Sequence, residues 1–419
     1  MSFRRTISAV ATSTLLWCLA ALASCSSSGR APDLAPLRPG EEGLAIRCGR
    51  VLTVDDHDRA YGPGLILLKQ GRIAYVGPDR DVPEGYPVEE RRDLWAAPGM
   101  VELHAHVHGT MGDINDMVFP VNADLRASPT YVPGNRALRL ACAGGVTTLF
   151  GIPGSGTSIG GFGITFKSKV RGATYDGSVV QDPGGMKVAQ SYNPERRAGD
   201  LGATRAGLSW ILEQWSEEAR VANREGRVEP LLENLQKVHA RELPVLIHSA
   251  GSDGYPAAAR MWHAKYGTRA ILSHGCFDAH LTAPWLVAQG VPLNVGPREI
   301  DFFSTRDGAI TGTAARYLEA GAKDLSLNTD SPVVPQEELF LQGAVAARYG
   351  ADAYTMLRAV TIAPARVFGI GDRVGSLEVG KDADVVLFTG EPLDPRSRVE
   401  VVFIDGRVEY DRRQDGQWF

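Results

Sequence analysis

The chain is short of the features that mark a disulfide-stapled domain, a nucleic-acid binder or a membrane-spanning protein. It has five cysteines in 419 residues, and two of these, Cys18 and Cys25, fall in the first 25 positions. The other three, Cys48, Cys142 and Cys276, are odd in number and match no zinc spacing, which excludes a disulfide framework. Positive charge is not in excess: 44 lysines and arginines face 49 acidic residues, leaving −5, so no nucleic-acid surface is expected. The apolar run from Ile7 to Ala23 is broken by Thr12, Ser13 and Thr14 and is short for a stable span. The six glycines between Gly151 and Gly163 lack the Gly-Lys-Ser/Thr ending of a P-loop and precede a strand. They therefore read as a substrate-facing loop and not as a phosphate cradle.

What is present begins with a targeting segment. Arg4 and Arg5 precede the apolar run, which ends in Leu22-Ala23-Ser24-Cys25. That tetrad resembles the lipobox of bacterial lipoproteins, which implies cleavage after residue 24 and lipidation of Cys25. Ser26 in place of an aspartate resembles outer-membrane sorting, so the expected location is the cell envelope outside the cytoplasm. Residues 25–43, rich in Ser, Pro and Gly, are expected to form a flexible tether.

With 44% hydrophobic residues and 47 glycines, the rest reads as an ordinary globular chain, long enough for one large α/β barrel plus an accessory domain. Short strands without helices precede residue 98 and return after Asp384, where Asp405-Gly406 marks a hairpin. These ends, 44–97 and 373–415, are expected to pair into one small discontinuous β-sandwich domain. Between them, over 98–372, strands and helices alternate as in parallel βα units. Strands are expected at 100–106, 145–150, 162–166, 186–190, 244–248, 269–274, 291–295 and 325–330. Eight such strands predict a (β/α)8 TIM barrel with its site at their C-terminal ends.

Ionisable side chains collect at those ends. His104 and His106 form a His-x-His pair on the first strand, and alternate residues of a strand share a face. Lys187 ends the fourth strand, His248 the fifth, His274 the sixth and Asp330 the eighth. Such groups would repel one another or demand desolvation unless a metal held them together. Lys167 and Lys169, near the third strand, are rival positions for the lysine. His108 and Arg298 are candidate substrate contacts, against plainer roles as a solvated loop histidine and a rim salt bridge.

Three motifs carry a family resemblance: Pro98 to His106, Gly144-Gly145-Val146-Thr147-Thr148 and Thr329-Asp330-Ser331-Pro332. With Gly375 to Asp384 in the tail, they resemble the amidohydrolase superfamily, most closely its imidazolonepropionase-like members, over roughly Leu44 to Tyr410. The resemblance implies that His104, His106 and Asp330 bind one divalent ion and that His248 and His274 bind a second. Lys187 is then a carboxylated bridging lysine, zinc the leading ion with manganese or iron also compatible, and Asp330 the catalytic proton carrier. Glu102, where an aspartate is common in the family, is expected to point away from the histidine pair by strand alternation. The implied reaction is hydrolysis of a C–N bond in a small-molecule amide or cyclic amide, dipeptides included. Deaminating members usually carry a glutamate soon after the fifth-strand histidine, whereas His248 is followed by Ser249-Ala250-Gly251 and the next carboxylate is Asp253. A mononuclear deaminase and a non-catalytic binding module on the same barrel remain the competing readings.

The targeting segment yields a direct test. In cells given labelled palmitate, the wild-type chain is expected to take up label and sediment with membranes, and Cys25→Ser to do neither. Label retained by the serine variant would remove Cys25 as the lipid site.

Overall fold

Two eight-stranded sheets organise the chain. The computed structural model describes residues 34–109, 114–195, 204–301 and 310–419. The lipobox, Cys25 and the first part of the expected tether lie outside these residues. No helix among the described residues is long and apolar enough to cross a membrane.

The first sheet draws on both ends of the chain. Its path runs from Arg407–Asp411 through Val399–Ile404, Val385–Phe388, Val88–Pro98, Gly43–Leu52 and Gly64–Lys69 to Arg72–Pro78, with Ala60–Tyr61 on one side. The junction is antiparallel, Val385 lying opposite Pro98 and Phe388 opposite Trp95. The sheet curls so that Ile66 and Ile73 from one side share a core with Val385, Val401 and Phe403 from the other. Two hairpins depend on left-handed central residues, Gln70-Gly71 at φ 49° and 76° and Asp405-Gly406 at φ 49° and 74°. That is the turn geometry matched to the twist of paired strands. Residues 34–42, counted above with the tether, lie against this sheet: Leu34 and Leu37 pack on Leu65, Leu67 and Tyr86, and Leu37 N–H donates to Glu84 at 3.0 Å. Burial of these two leucines keeps residues 34–42 on the sheet and out of the expected tether.

The second sheet is the barrel. Its strands, in spatial as in chain order, are Met100–Ala105, Val146–Gly151, Ile159–Lys167, Val179–Ala189, Pro244–Ser249, Arg269–His274, Leu293–Val295 and Leu325–Leu327. The helix Arg136–Ala143 starts where Asn135 accepts the Leu138 N–H at 3.1 Å, and Arg205–Glu225 stops at Gly226 in the left-handed region. One strand departs from the expected parallel arrangement. Ile159–Lys167 is antiparallel to both neighbours. The reason is the connection before it, residues 152–158, which is far shorter than the dozen or so residues a parallel crossover needs. The start of this strand, and not its end, therefore meets the site: Gly161 lies opposite Lys187.

The eighth strand returns to the first through the chain just after it. Ala105 bridges Ser331, and the His106 N–H donates to the Ser331 carbonyl at 2.9 Å. Glu102, fully buried, completes this seam. Its carboxylate accepts the backbone N–H groups of His104 and Thr329, both at 2.8 Å, the Thr329 hydroxyl at 2.8 Å and the Gln336 amide at 3.1 Å. Burial nevertheless raises its pKa to about 7.

At the opposite end of the barrel, Lys167 locks the third strand to the small sheet. Its buried ammonium reaches Asp382 at 2.7 Å, Asp384 at 3.0 Å and also Asp405, while Lys169 reaches Asp405 at 2.6 Å. Both rival lysines are thus occupied far from the histidines. Burial opposes the charge on Lys167, but the three carboxylates outweigh it and hold the pKa above its usual value. Removing one partner of a buried charge cluster costs about 3–5 kcal/mol. Lys167→Met is expected to lower the stability to urea by about that amount, and an unchanged unfolding midpoint would show that the cluster contributes nothing.

Candidate metal centre

The residues named from strand ends meet in one buried space. His104 is fully buried, His274 2% exposed, His106 6% and His248 7%, while the Asp330 side chain is 17% exposed. Ring centroids stand 4.5 Å apart for His104 and His274, 4.4 Å for His248 and His274, and 5.2 Å for His104 and His106. Sequence parity alone would put Glu102 on the face of His104 and His106. A register shift between Glu102 and Ala105 breaks the alternation, freeing Glu102 for the seam, so the expectation rested on the wrong cause.

Hydrogen bonds on the far ring nitrogens dictate the tautomers. His106 Nδ1 lies 2.9 Å from the Ile152 carbonyl, which only accepts, so Nδ1 carries the proton. His104 Nδ1 lies 2.6 Å from Ser273 Oγ, whose own hydroxyl donates to Asn294 Oδ1 at 3.2 Å. Asn294 is oriented in turn by donating to Ser326 Oγ at 2.9 Å and to the Leu327 carbonyl. In neutral imidazoles this leaves both Nε2 atoms as acceptors, and that of His104 faces the Lys187 amine at 3.1 Å. Each Nε2 lies 3.2 Å from the same oxygen, Asp330 Oδ1. Three acceptors in such proximity suit a shared cation, since ligands about 2.0–2.2 Å from one ion would show this spacing.

His248 and His274 add a second indication. All four of their ring nitrogens are buried without a hydrogen-bond partner, a cost of about 1–3 kcal/mol for each unmet group. Ligand atoms of His104, His274 and Asp330 lie within 4.8 Å of one another, so His274, assigned above to the second ion, also borders the first set. The donor set, imidazoles with a carboxylate, suits a divalent transition ion.

Electrostatics prepares the same protonation states. Burial, reinforced by neighbouring Lys187 or His274, pushes His104 and His248 well below the usual histidine range, and burial brings His274 to about 4. For Asp330, burial favours the neutral acid, but His274, His106 and Lys187 outweigh it and keep the pKa below normal. Neutral imidazoles and an ionised carboxylate are the forms that ligate metal. Burial lowers Lys187 to about 7, against the pull of Asp330. Its Nζ rests 3.1 Å from His104 Nε2 and 2.9 Å from Ser155 Oγ. His274 and Asp330 both hold left-handed backbone, φ 84° and 48°, an arrangement costing about 1–3 kcal/mol each that persists where the surroundings enforce it.

Other candidates take different places. His108 is 2% exposed with Nδ1 unpartnered, and burial together with His106 brings it to about 4; it is not a solvated loop residue. Arg298 is exposed on the loop after the seventh strand. Cys276 is buried, and burial raises its thiol above the usual range. Ser273, Asn294 and Ser155 were not singled out from the sequence. Ser273 had a faint signal in standing next to His274 on a barrel strand.

Comparison with known proteins gives a consistent picture. Residues 228–408 match the amidohydrolase family. The chain is 25% identical over 410 residues to amidohydrolase tasK of Hapsidospora irregularis, covering 84% of this chain but only 40% of that longer protein. It is 25% identical over 395 residues to a 5-methylthioadenosine/S-adenosylhomocysteine deaminase of Syntrophobacter fumaroxidans, covering 82% and 84% of the two chains. A crystal structure of an amidohydrolase from Thermotoga maritima superposes with a TM-score of 0.79 at 28% identity, covering 88% of this chain and all of that one. Matches to imidazolonepropionases run for 64 to 81 residues, 14–17% of the chain, so the likeness to that group is local.

Because Ser273 fixes the His104 tautomer, Ser273→Ala is expected to weaken metal binding about 10- to 100-fold. Competition against a chromophoric chelator measures this, and unchanged affinity would dissociate the Ser273–Asn294 chain from the centre.

Proposed function

We propose that this chain is a member of the amidohydrolase superfamily and hydrolyses a C–N bond in an amide, a cyclic amide or a dipeptide, with two divalent ions per chain. The observation that carries the reading is the convergence of His104 Nε2, His106 Nε2 and Asp330 Oδ1 beside the unpartnered nitrogens of His248 and His274. His104, His106 and Asp330 would hold one ion and His248 and His274 the other, with Lys187 as a carboxylated bridge. Bound divalent metal would polarise the substrate carbonyl and acidify water at neutral pH.

The chain's own groups then have defined tasks. Asp330, ionised, accepts a proton from the attacking water and passes it to the departing nitrogen. The water oxygen becomes bonded to the carbonyl carbon as the C–N bond breaks, so the products are a carboxylic acid and an amine. His104 and His106 cannot rotate, because Ser273 and the Ile152 carbonyl hold their outer nitrogens. His108, buried just past this pair, and Arg298 on the rim are proposed to contact substrate.

The long match to a deaminase favours a second reading, a mononuclear deaminase. Against it, the first carboxylate after His248, Asp253, is turned outward with a 66% exposed side chain and paired to Arg205. We further propose that the mature chain works outside the cytoplasm, tethered to the outer membrane through Cys25.

Metal analysis of protein purified without added metal is expected to give two ions per chain; one would favour the deaminase and none the binding module. Against N-acyl amino acids, dipeptides, cyclic amides and lactones, Asp330→Asn is expected to lose at least ~100-fold in turnover on any amide the wild type cleaves. Full activity in that variant would remove Asp330 from proton transfer.

A further inference from the structure

We propose that Ser155 is the positioning residue for carboxylation of Lys187: its hydroxyl holds the amine in place and then donates to the carbamate oxygen. The inference rests on the binuclear reading above and extends it to the glycine-rich loop, which that reading leaves without a role.

The geometry is specific. The loop 152–158 turns the chain back into the reversed third strand and so passes over the end of the fourth, where Lys187 stands. Ser155 Oγ lies 2.9 Å from Lys187 Nζ, and Ser155 is 9% exposed. The two flanking glycines are clamped from outside. The Gly154 N–H donates to the Ile114 carbonyl at 2.6 Å, and the Gly156 N–H donates to Asn115 Oδ1 at 2.7 Å. A Cβ on Gly154 would come within 2.4 Å of the Asn115 amide, and one on Gly156 within 2.5 Å of Met117 Sδ and 2.7 Å of Asn115 Oδ1. A side chain at either glycine would have to displace Asn115 or Met117, and the bonds to residues 114 and 115 hold the loop from the outside. Gly160, whose Cβ would stand 3.1 Å from the Gly154 carbonyl, lets the strand close up beneath.

The chemistry gives the hydroxyl two successive tasks. The two hydrogen-bond partners of Lys187 Nζ are Ser155 Oγ and His104 Nε2. In the carboxylation step the nitrogen lone pair attacks the carbon of dissolved CO2 and an N–C bond forms. One C–O π pair moves onto oxygen, and the nitrogen proton is released to water. A serine hydroxyl, unlike the amine's own hydrogens, can reverse its role. It accepts from the amine beforehand and donates to the anionic oxygen afterwards, a charge-assisted bond of the stronger kind.

The test reads the carbamate and not turnover. Full-length protein, stripped of metal, is titrated with 13C-bicarbonate and zinc, and the carbamate carbon is followed by NMR alongside bound zinc. Wild type is expected to show the carbamate signal, Ser155→Ala and Ser155→Cys to need about tenfold more bicarbonate for half-maximal signal, and Ser155→Thr to stay near wild type. Using two substitutions guards against one that fails to fold. Equal bicarbonate dependence in all four proteins overturns the role of Ser155 while leaving the binuclear reading intact. A wild type without carbamate at any bicarbonate concentration overturns both.

Discussion

Three lone pairs facing one another are the constraint on which the barrel's upper end is built. His104 Nε2 and His106 Nε2 each stand 3.2 Å from Asp330 Oδ1, with their outer nitrogens committed to Ser273 and to the Ile152 carbonyl. Apart from the Lys187 amine 3.1 Å from His104 Nε2, these acceptors repel one another, and the upkeep is visible in the surroundings. Left-handed backbone at His274 and Asp330, buried unpartnered nitrogens on two histidines and a desolvated lysine all oppose folding without compensation. A divalent cation at this centre would offset the repulsion among the facing acceptors.

Much of this was legible because strands and rim residues leave local marks. Apolar runs ending in His104, His248 and His274 located three strands together with the histidines at their ends, and glycine turns at 70–71 and 405–406 announced the small sheet. Choosing Lys187 over Lys167 needed only a strand assignment, and the structure shows the physical contrast. One lysine is surrounded by three aspartates and the other by a serine and an imidazole. The direction of the third strand was also written in the chain, in the seven residues from 152 to 158, but the alternation of elements around it suggested a crossover where none fits. Ser273, Asn294 and Ser155 had no comparable mark. Their roles depend on which side chains from other strands arrive beside them, and hydroxyl residues are too common in strands and loops for position alone to single them out.

The small sheet is more than an appendage. Lys167 ties the non-site end of the barrel to Asp382, Asp384 and Asp405, and the C-terminal strands pair directly with the segment that leads into the first barrel strand. The His-x-His pair is therefore anchored from behind by residues nearly three hundred positions later in the chain. Rigidity at the base lets the opposite end carry strain, since a site held off its local minima needs a frame that does not relax.

The seam between the first and last barrel strands has a consequence for how the protein lives. The barrel is clasped by Glu102 reaching Thr329 and Gln336 and by the His106 bond to Ser331, and the ligands contributed by those same two strands sit at the clasp. An ion held between those strands would favour the closed ring, since whatever binds only when the ring is shut draws it shut. Metal scarcity would then act on the chain first as a quality-control signal, exposing an openable joint to proteases, before it acts as a loss of reaction rate.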